Sequence, residues 1–191
     1  MEIDYRQLDS TNFTNHSLDD FIRYQQVSEC WRNVEGAWKL VPISFEENWS
    51  LEQCRDIATD VAAHMEKDQM AFGAFEGEKL VGFITLSHNF FGHTAKYAEL
   101  VCFQVSEPYR GKGIGRALFD RICEEARKIG AEKLYISGHS SKESQAAYKA
   151  LGCIHAKEIN QKLAEEEPFD VQLEYALRED EKEGEWQHET T

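Results

Sequence analysis

The sequence predicts a mixed α/β fold, with a mostly antiparallel central sheet, one parallel strand pair and helices on both faces. Three observations predict it. Two apolar runs, Met70–Phe75 and Leu80–Leu86, flank Glu76-Gly77-Glu78-Lys79, which has the length and chemistry of a hairpin connection, and a third strand follows over Lys96–Ser106. That strand leads into an amphipathic helix and then a short apolar run, Lys133–Ser137, all within about forty residues, the pattern of a βαβ crossover with parallel strands. A second helical pattern covers 51–67, where Leu51, Cys54, Ile57, Ala58, Val61, Ala62 and Met65 recur at helical spacing behind Ser50 as N-cap.

The remaining elements follow in order. Ile3–Leu8 reads as a short strand, and Ser17 with Asp19 and Asp20 is expected to open a helix running through Phe21, Tyr24 and Gln25. Between 29 and 49 the pattern assigns no element: Trp31, Trp38 and Trp49 lie among charges, and Pro42 excludes a long helix. In the crossover helix, Leu118, Phe119, Ile122, Cys123, Ala126 and Ile129 share one face, and Gly130 is placed to end it. A further helix is expected over Lys142–Leu151, with Ser140 and Glu143 at capping-box spacing and Gly152 as its stop. Two last strands are expected near Ala156–Asn160 and Asp170–Leu177. Residues 1–177 thus read as one domain, followed by a solvated acidic extension over 178–191.

A chain of 191 residues can bury a core without disulfide or metal staples, and 41% hydrophobic residues with 12% aromatics exclude intrinsic disorder. No stretch approaches the about 18 consecutive apolar residues of a membrane span, and no secretory signal is visible at the start, so a cytoplasmic protein is expected. With 21 basic and 35 acidic side chains the net charge is −14, which repels nucleic acid and anionic lipid and argues against either as a partner. The five cysteines, Cys30, Cys54, Cys102, Cys123 and Cys153, lie at least twenty residues apart and read as reduced thiols in or near the core. No spaced His/Asp/Glu set suggests a metal.

The informative motif is Arg110-Gly111-Lys112-Gly113-Ile114-Gly115, between a strand and a helix. Its glycines let the backbone turn sharply and bring N–H groups against an anion, beside the positive end of the following helix. Neither the dinucleotide fingerprint nor the nucleoside triphosphatase loop fits the spacing. The remaining match, R-x-x-G-x-G, is the signature of the GCN5-related N-acetyltransferase (GNAT) superfamily, and the sequence resembles that family from about Phe72 to Gly152. GAFEGEKLVGFITL is similar to the family's second and third strands, YAELVCFQVSEPYRGKGIGRALFDRICEEARKIG to its fourth strand, acyl-CoA loop and third helix, and LYISGHSSKESQAAYKALGC to its fifth strand and fourth helix.

The resemblance implies acetyl-CoA as cosubstrate. Main-chain amides of Arg110, Gly111, Lys112, Gly113, Ile114 and Gly115 would hold its diphosphate, with Arg110, Lys112 and Arg116 offsetting its charge, and the pantetheine arm would lie along Cys102, Phe103, Gln104 and Val105. A Phe103 N–H would polarise the carbonyl oxygen. The family often has an asparagine at the start of the fourth helix; here Ser140 and Ser141 stand there, with Ser141 expected near the cofactor. Glu99 matches the glutamate that takes a proton from the amine in several members, and Tyr148 the tyrosine that serves the departing sulfur as general acid.

Acceptor specificity in the family lies in the first helices and between the last two strands. Here these regions hold Asp19, Asp20, Trp31, Glu35, Trp38, Glu165, Glu166, Glu167 and Asp170, a set suited to a cationic amine. The expected activity is acetylation of a small, cationic primary amine, with acetylation of a protein lysine or N-terminus, or noncatalytic acyl-CoA binding, as alternatives. A homodimer is expected by analogy with the fold alone.

Overall fold

The structure is a computed structural model that describes residues 2–177; the acidic extension predicted over 178–191 lies outside the described residues. In chain order the elements are β1 (Asp4–Gln7), β2 (Tyr24–Val34), β3 (Ala37–Asn48), α1 (Leu51–Met65), β4 (Gln69–Glu76), β5 (Lys79–Phe91), β6 (Tyr97–Val105), α2 (Ile114–Lys128), β7 (Lys133–Gly138), α3 (Lys142–Leu151), β8 (Ile154–His155), α4 (Gln161–Glu166) and β9 (Val171–Ala176). Seven strands form one sheet in the order β1-β4-β5-β6-β7-β9-β8, while β2 and β3 pair as a separate ribbon. Within the large sheet β6 and β7 run parallel, joined through α2, and every other neighbour pair is antiparallel.

Side chains alternate across a strand, so the sheet feeds two cores. Ala71 and Phe75 of β4 join Leu80 and Phe83 of β5 beneath Cys54, Ala58 and Val61 of α1. Phe72 and Ala74 face the other way, with Ile84 and Leu86, against Leu118, Phe119 and Ile122 of α2. Ser50 caps α1 through a capping box with Gln53, and Ile129 and Gly130 end α2 where the sequence pattern places the stop. The five cysteines are free thiols, four of them buried.

Four sequence expectations need correction. The helix expected from Ser17 is a series of turns that leads directly into β2. Its polar side chains bond locally, Ser17 Oγ accepting from Thr14 N–H and Thr14 Oγ1 from His16 N–H, which competes with helix formation. Phe13, Leu18 and Phe21 instead anchor these turns in the α1-side core. Residues 29–49 belong to the β2–β3 ribbon, whose two-residue turn has positive φ at Glu35 and Gly36, as a primed hairpin turn requires. Pro42 is tolerated because β3 pairs on one edge only.

The third correction concerns α3. Its N-cap is Ser141, which accepts from Ser144 N–H, so Ser140 and Glu143 form no capping box. Finally, the strand expected over 156–160 does not form there: a two-residue strand, Ile154–His155, precedes that range, and the chain then turns into α4 with Asn160 as N-cap.

Candidate active site

The site begins where a strand pair fails to continue. β6 and β7 are in register only at Tyr97–Glu99 with Lys133–Tyr135, although β6 runs on beside β5 to Val105 and β7 beside β9 to Gly138. A bulge assists the parting: Leu100 faces Leu86 and Cys102 faces Thr85, leaving Val101 without an opposite residue. The strands therefore splay into a cleft of about 790 Å³, a volume typical of small-molecule sites. Leu100–Val105 form one wall, Ser137, His139 and Tyr148 lie opposite, and the glycine loop closes one end.

The unpaired edge of β6 presents a donor to this cleft. Cys102 N–H donates to Thr85 Oγ1 and Ser106 N–H to the Val81 carbonyl, both on the β5 side. Successive strand amides point to opposite edges, so Phe103 N–H is directed to the splayed side. Burial pushes the Cys102 thiol up to about 12, which keeps it protonated and unreactive.

At the loop, Gly111 and Gly113 have φ of 73° and 82°, and a Cβ at either would meet no atom within 4 Å. Their role is conformational: the left-handed geometry, costly for any other residue, turns the chain into α2. Arg110 N–H is engaged by the Glu107 carbonyl at 3.2 Å, and the N–H groups from Gly111 to Arg116 find no protein acceptor among the described residues. The predicted amide set thus shifts by one residue.

The three basic side chains act partly as struts. Arg110 donates from Nε to the Val105 carbonyl at 2.9 Å and from Nη1 to the Tyr24 carbonyl at 2.7 Å, tying the loop to β6 and β2. Lys112 donates to the Pro108 carbonyl at 2.7 Å and does not line the cleft. Arg116 donates to the Ala150 and Leu151 carbonyls, closing the C-terminal end of α3. Arg110 and Arg116 both border the cleft, so their charge remains beside the open amides.

Tyr148 comes from α3 and meets Phe103 edge-on at 6.4 Å between ring centroids. A Cβ at position 138 would lie 3.1 Å from its Cε2, so Gly138 makes room for the ring. Burial raises the phenol's pKa, and no described residue hydrogen-bonds its hydroxyl, so a proton is held on an unpartnered oxygen in the cleft.

Other expected residues lie elsewhere. Ser141 is fully buried: its Oγ receives Gln25 Nε2–H at 2.8 Å and Ser144 N–H, and donates to Ser144 Oγ, so it anchors the ribbon and does not line the cleft. Ile114 is likewise in the core. Glu99 stands at the last β6–β7 pair, half-buried and outside the cleft lining; burial and Glu166 raise its pKa, opposed by Lys162 of α4.

Of the acidic and aromatic residues expected around the acceptor, only Asp170 lines the cleft. Asp19 pairs with Arg55 at 2.8 Å, Trp38 stacks on His155, and Glu35 makes the ribbon turn.

The ribbon brings groups the sequence did not associate with the site. Arg23 of the segment before β2 pairs with Glu47 of β3 at 2.8 Å, and Glu47 Oε1 lies 3.2 Å from His139 Nε2. His139 Nδ1 accepts from Ser141 N–H, which assigns the remaining proton to Nε2 and directs it at Glu47. Burial, with Arg23 and Arg32 nearby, lowers the imidazole's pKa despite Glu47. Both ring nitrogens are occupied, so His139 props the wall and has no lone pair for a substrate.

A splayed parallel pair, an open amide arc at a helix start and the cleft between them form one continuous candidate active site. The family model described as "Acetyltransferase (GNAT) family" matches residues 31–153, and the chain belongs to that family. No curated protein matches the sequence.

Solved structures share the fold. A nourseothricin acetyltransferase is 17% identical, with a TM-score of 0.67, over 93% of this chain and 100% of its own. A protein of Bacillus anthracis str. Ames, provisionally assigned as a streptothricin acetyltransferase and solved with acetyl coenzyme A, is 14% identical with a TM-score of 0.62 over 91% and 96%. The PaiA N-acetyltransferase of Thermoplasma acidophilum, solved with coenzyme A, is 18% identical with a TM-score of 0.59 over 92% and 99%.

Proposed function

We propose that this acetyltransferase moves an acetyl group from acetyl-CoA to the primary amine of a small cationic acceptor by direct attack. The observation that supports it most is the continuity of one cleft: open amides at Gly111–Arg116, an unpaired β6 edge beside them, and the Tyr148 hydroxyl further along. The fit of a diphosphate to the loop rests on those amides, on the start of α2 and on the adjacent Arg110 and Arg116, which offset a net charge of −14 locally. The extended edge from Cys102 to Val105 suits the amide-bearing pantetheine arm. When bound, acetyl-CoA supplies an activated acyl carbonyl and a thiolate leaving group.

The chain's own groups then have separate tasks. Phe103 N–H is placed to hydrogen-bond the carbonyl oxygen as charge develops on it. Tyr148, protonated at neutral pH, gives a proton to the departing sulfur. The acceptor must also lose a proton, because an alkylamine with a pKa of ~10.4 is almost wholly protonated at pH 7. Family resemblance nominates Glu99 for that step.

The choice of a small cationic acceptor is supported by the carboxylate Asp170 in the cleft and by a cleft volume of about 790 Å³, in the range of small-molecule sites. The names of two fold relatives, acetyltransferases for nourseothricin and streptothricin, agree with it. The test is thermal stabilisation by acetyl-CoA followed by thiol release across a panel of small amines, proteins and peptides. Stabilisation with turnover of small amines supports the reading, whereas turnover of peptides alone, or stabilisation with no turnover, overturns it.

A further inference from the structure

We infer that Asp170, at the entry to β9, is the carboxylate that binds the acceptor's ammonium group and takes its proton. The inference rests on the acetyl-transfer reading and concerns which residue activates the amine.

Among the described residues the cleft lining contains three carboxylates, Glu107, Glu143 and Asp170. Glu107 lies in the turn that opens the glycine loop, at the end assigned to the diphosphate, where no amine is expected. Glu143 is an exposed residue in the first turn of α3. Asp170 is half-buried, and no described residue hydrogen-bonds its side chain, although its own N–H is held by the Glu167 carbonyl. His139 of this wall is engaged by Glu47 and by Ser141 N–H, and Glu47 is in turn paired with Arg23. Asp170 is therefore the cleft carboxylate with both shelter and an open valence.

Its surroundings suit proton transfer. The charged and titratable groups facing it are Arg32 of β2, Glu47 of β3, His139 after β7, Tyr148 of α3 and Glu167 after α4. Burial first, then Glu167 and Glu47, push its carboxyl up to about 6, with Arg32 opposing. At pH 7 it remains mostly ionised and attracts a cation. Compared with an ordinary aspartate of pKa ~3.9, it narrows the gap to an amine of ~10.4 by about two units, roughly a hundredfold in the proton-transfer equilibrium. Asp170 and Tyr148, the proton acceptor and the proton donor, both line this cleft, and the Asp170 charge contributes to the raised pKa of the Tyr148 phenol.

The protons balance. The acceptor nitrogen enters as an ammonium; one proton passes to Asp170 and on to solvent as the nitrogen forms its bond to the acyl carbon. The carbon–sulfur bond breaks, sulfur takes the Tyr148 proton, and the second proton lost by nitrogen restores the phenol. The products are an amide and a thiol.

The test compares Asp170→Asn, Asp170→Glu and Glu99→Gln in the full chain, with acetyl-CoA and an alkylamine acceptor that the wild type acetylates. Asp170→Asn should lower kcat by about 10²–10⁴-fold and remove the rise in kcat near pH 6, while acetyl-CoA still raises the melting temperature as in wild type. Asp170→Glu should recover part of the rate, and a weakly basic amine, already neutral at pH 7, should be affected far less. Wild-type kcat and pH profile in Asp170→Asn would overturn the inference while leaving the acetyl-transfer reading intact, as would loss of the pH 6 limb in Glu99→Gln alone. Failure of the wild type to acetylate any amine overturns both.

Discussion

The two ends of the cleft are built in opposite ways. At the loop end, the groups that the proposed function assigns to the donor are consecutive: the amides of Gly111–Arg116, set by two left-handed glycines and the start of α2. At the ribbon end, the facing groups are Arg23, His139, Tyr148 and Asp170, brought together from four separate parts of the chain, with Glu47 of β3 bridging Arg23 and His139. The first end depends on backbone conformation and so tolerates varied side chains. The second depends on tertiary placement of particular side chains. Donor binding and acceptor chemistry should accordingly fail independently when each end is altered.

The largest effect is expected at Tyr148. Replacing it with phenylalanine keeps the ring that packs on Phe103 beside Gly138 but removes the proton donor, so kcat should fall by about 10²–10⁴-fold. The acetyl-CoA-induced shift in melting temperature should be preserved. An unchanged kcat would remove Tyr148 from the mechanism.

At the other end the signature should be reversed. Gly113→Val forces a β-branched residue to φ near 82°, a strain of about 1–2 kcal/mol that the loop can relieve only by turning its amides away. Loss of one charge-assisted amide contact, about 1.5–3 kcal/mol, corresponds to a roughly 10- to 100-fold rise in the KM for acetyl-CoA. The KM for the amine should stay nearly constant. Equal changes in both constants would show that the two ends are not separable.

The same contrast explains what could be read from the sequence. The α1 helix, the β4–β5 hairpin, the β6–α2–β7 crossover and the span of α3 follow from periodicity and turns, signals that each act over a few neighbouring turns or strand residues. The glycine loop is legible for the same reason. Phe21, Tyr24 and Gln25 have a spacing that imitates a helix face, yet Phe21 reaches the core from an irregular segment and Tyr24 and Gln25 open β2, while Thr14 and Ser17 satisfy the preceding backbone locally. The ribbon carries exposed apolar residues such as Val41 and Ile43 among charges, so neither strand has a clean alternation. Asp170 could be listed from sequence only as one acidic residue among several, since its isolation from partners is a property of the assembled cleft. Ser141 has the right position for a ligand contact, but the ribbon takes its hydroxyl.

That anchoring gives a smaller prediction. Gln25→Ala removes the 2.8 Å bond to Ser141 Oγ and should cost about 1 kcal/mol, because Ser144 still satisfies the hydroxyl. Since Glu47 of the ribbon holds Arg23 and His139 in the wall of the acceptor end, the KM for the amine should rise a few-fold with that for acetyl-CoA unchanged. A change confined to acetyl-CoA would place the ribbon at the wrong end of the cleft.

The smallest effect is on stability, and its sign opposes the effect on activity. Folding raises the Asp170 carboxyl from 3.8 to about 6, so the folded chain prefers the protonated form. Stability associated with this group is greatest below pH 4 and is lost as pH rises through 6, because the unfolded chain ionises first. Two units correspond to about 3 kcal/mol, which partial solvent access reduces to about 1 kcal/mol. Asp170→Asn should therefore raise the melting temperature at pH 7–8 relative to wild type while the difference fades toward pH 4. A carboxylate kept in place at a cost to stability, with no structural partner to justify it, is what an acceptor-end functional group requires; a variant destabilised equally at both pH values would instead assign Asp170 to the scaffold.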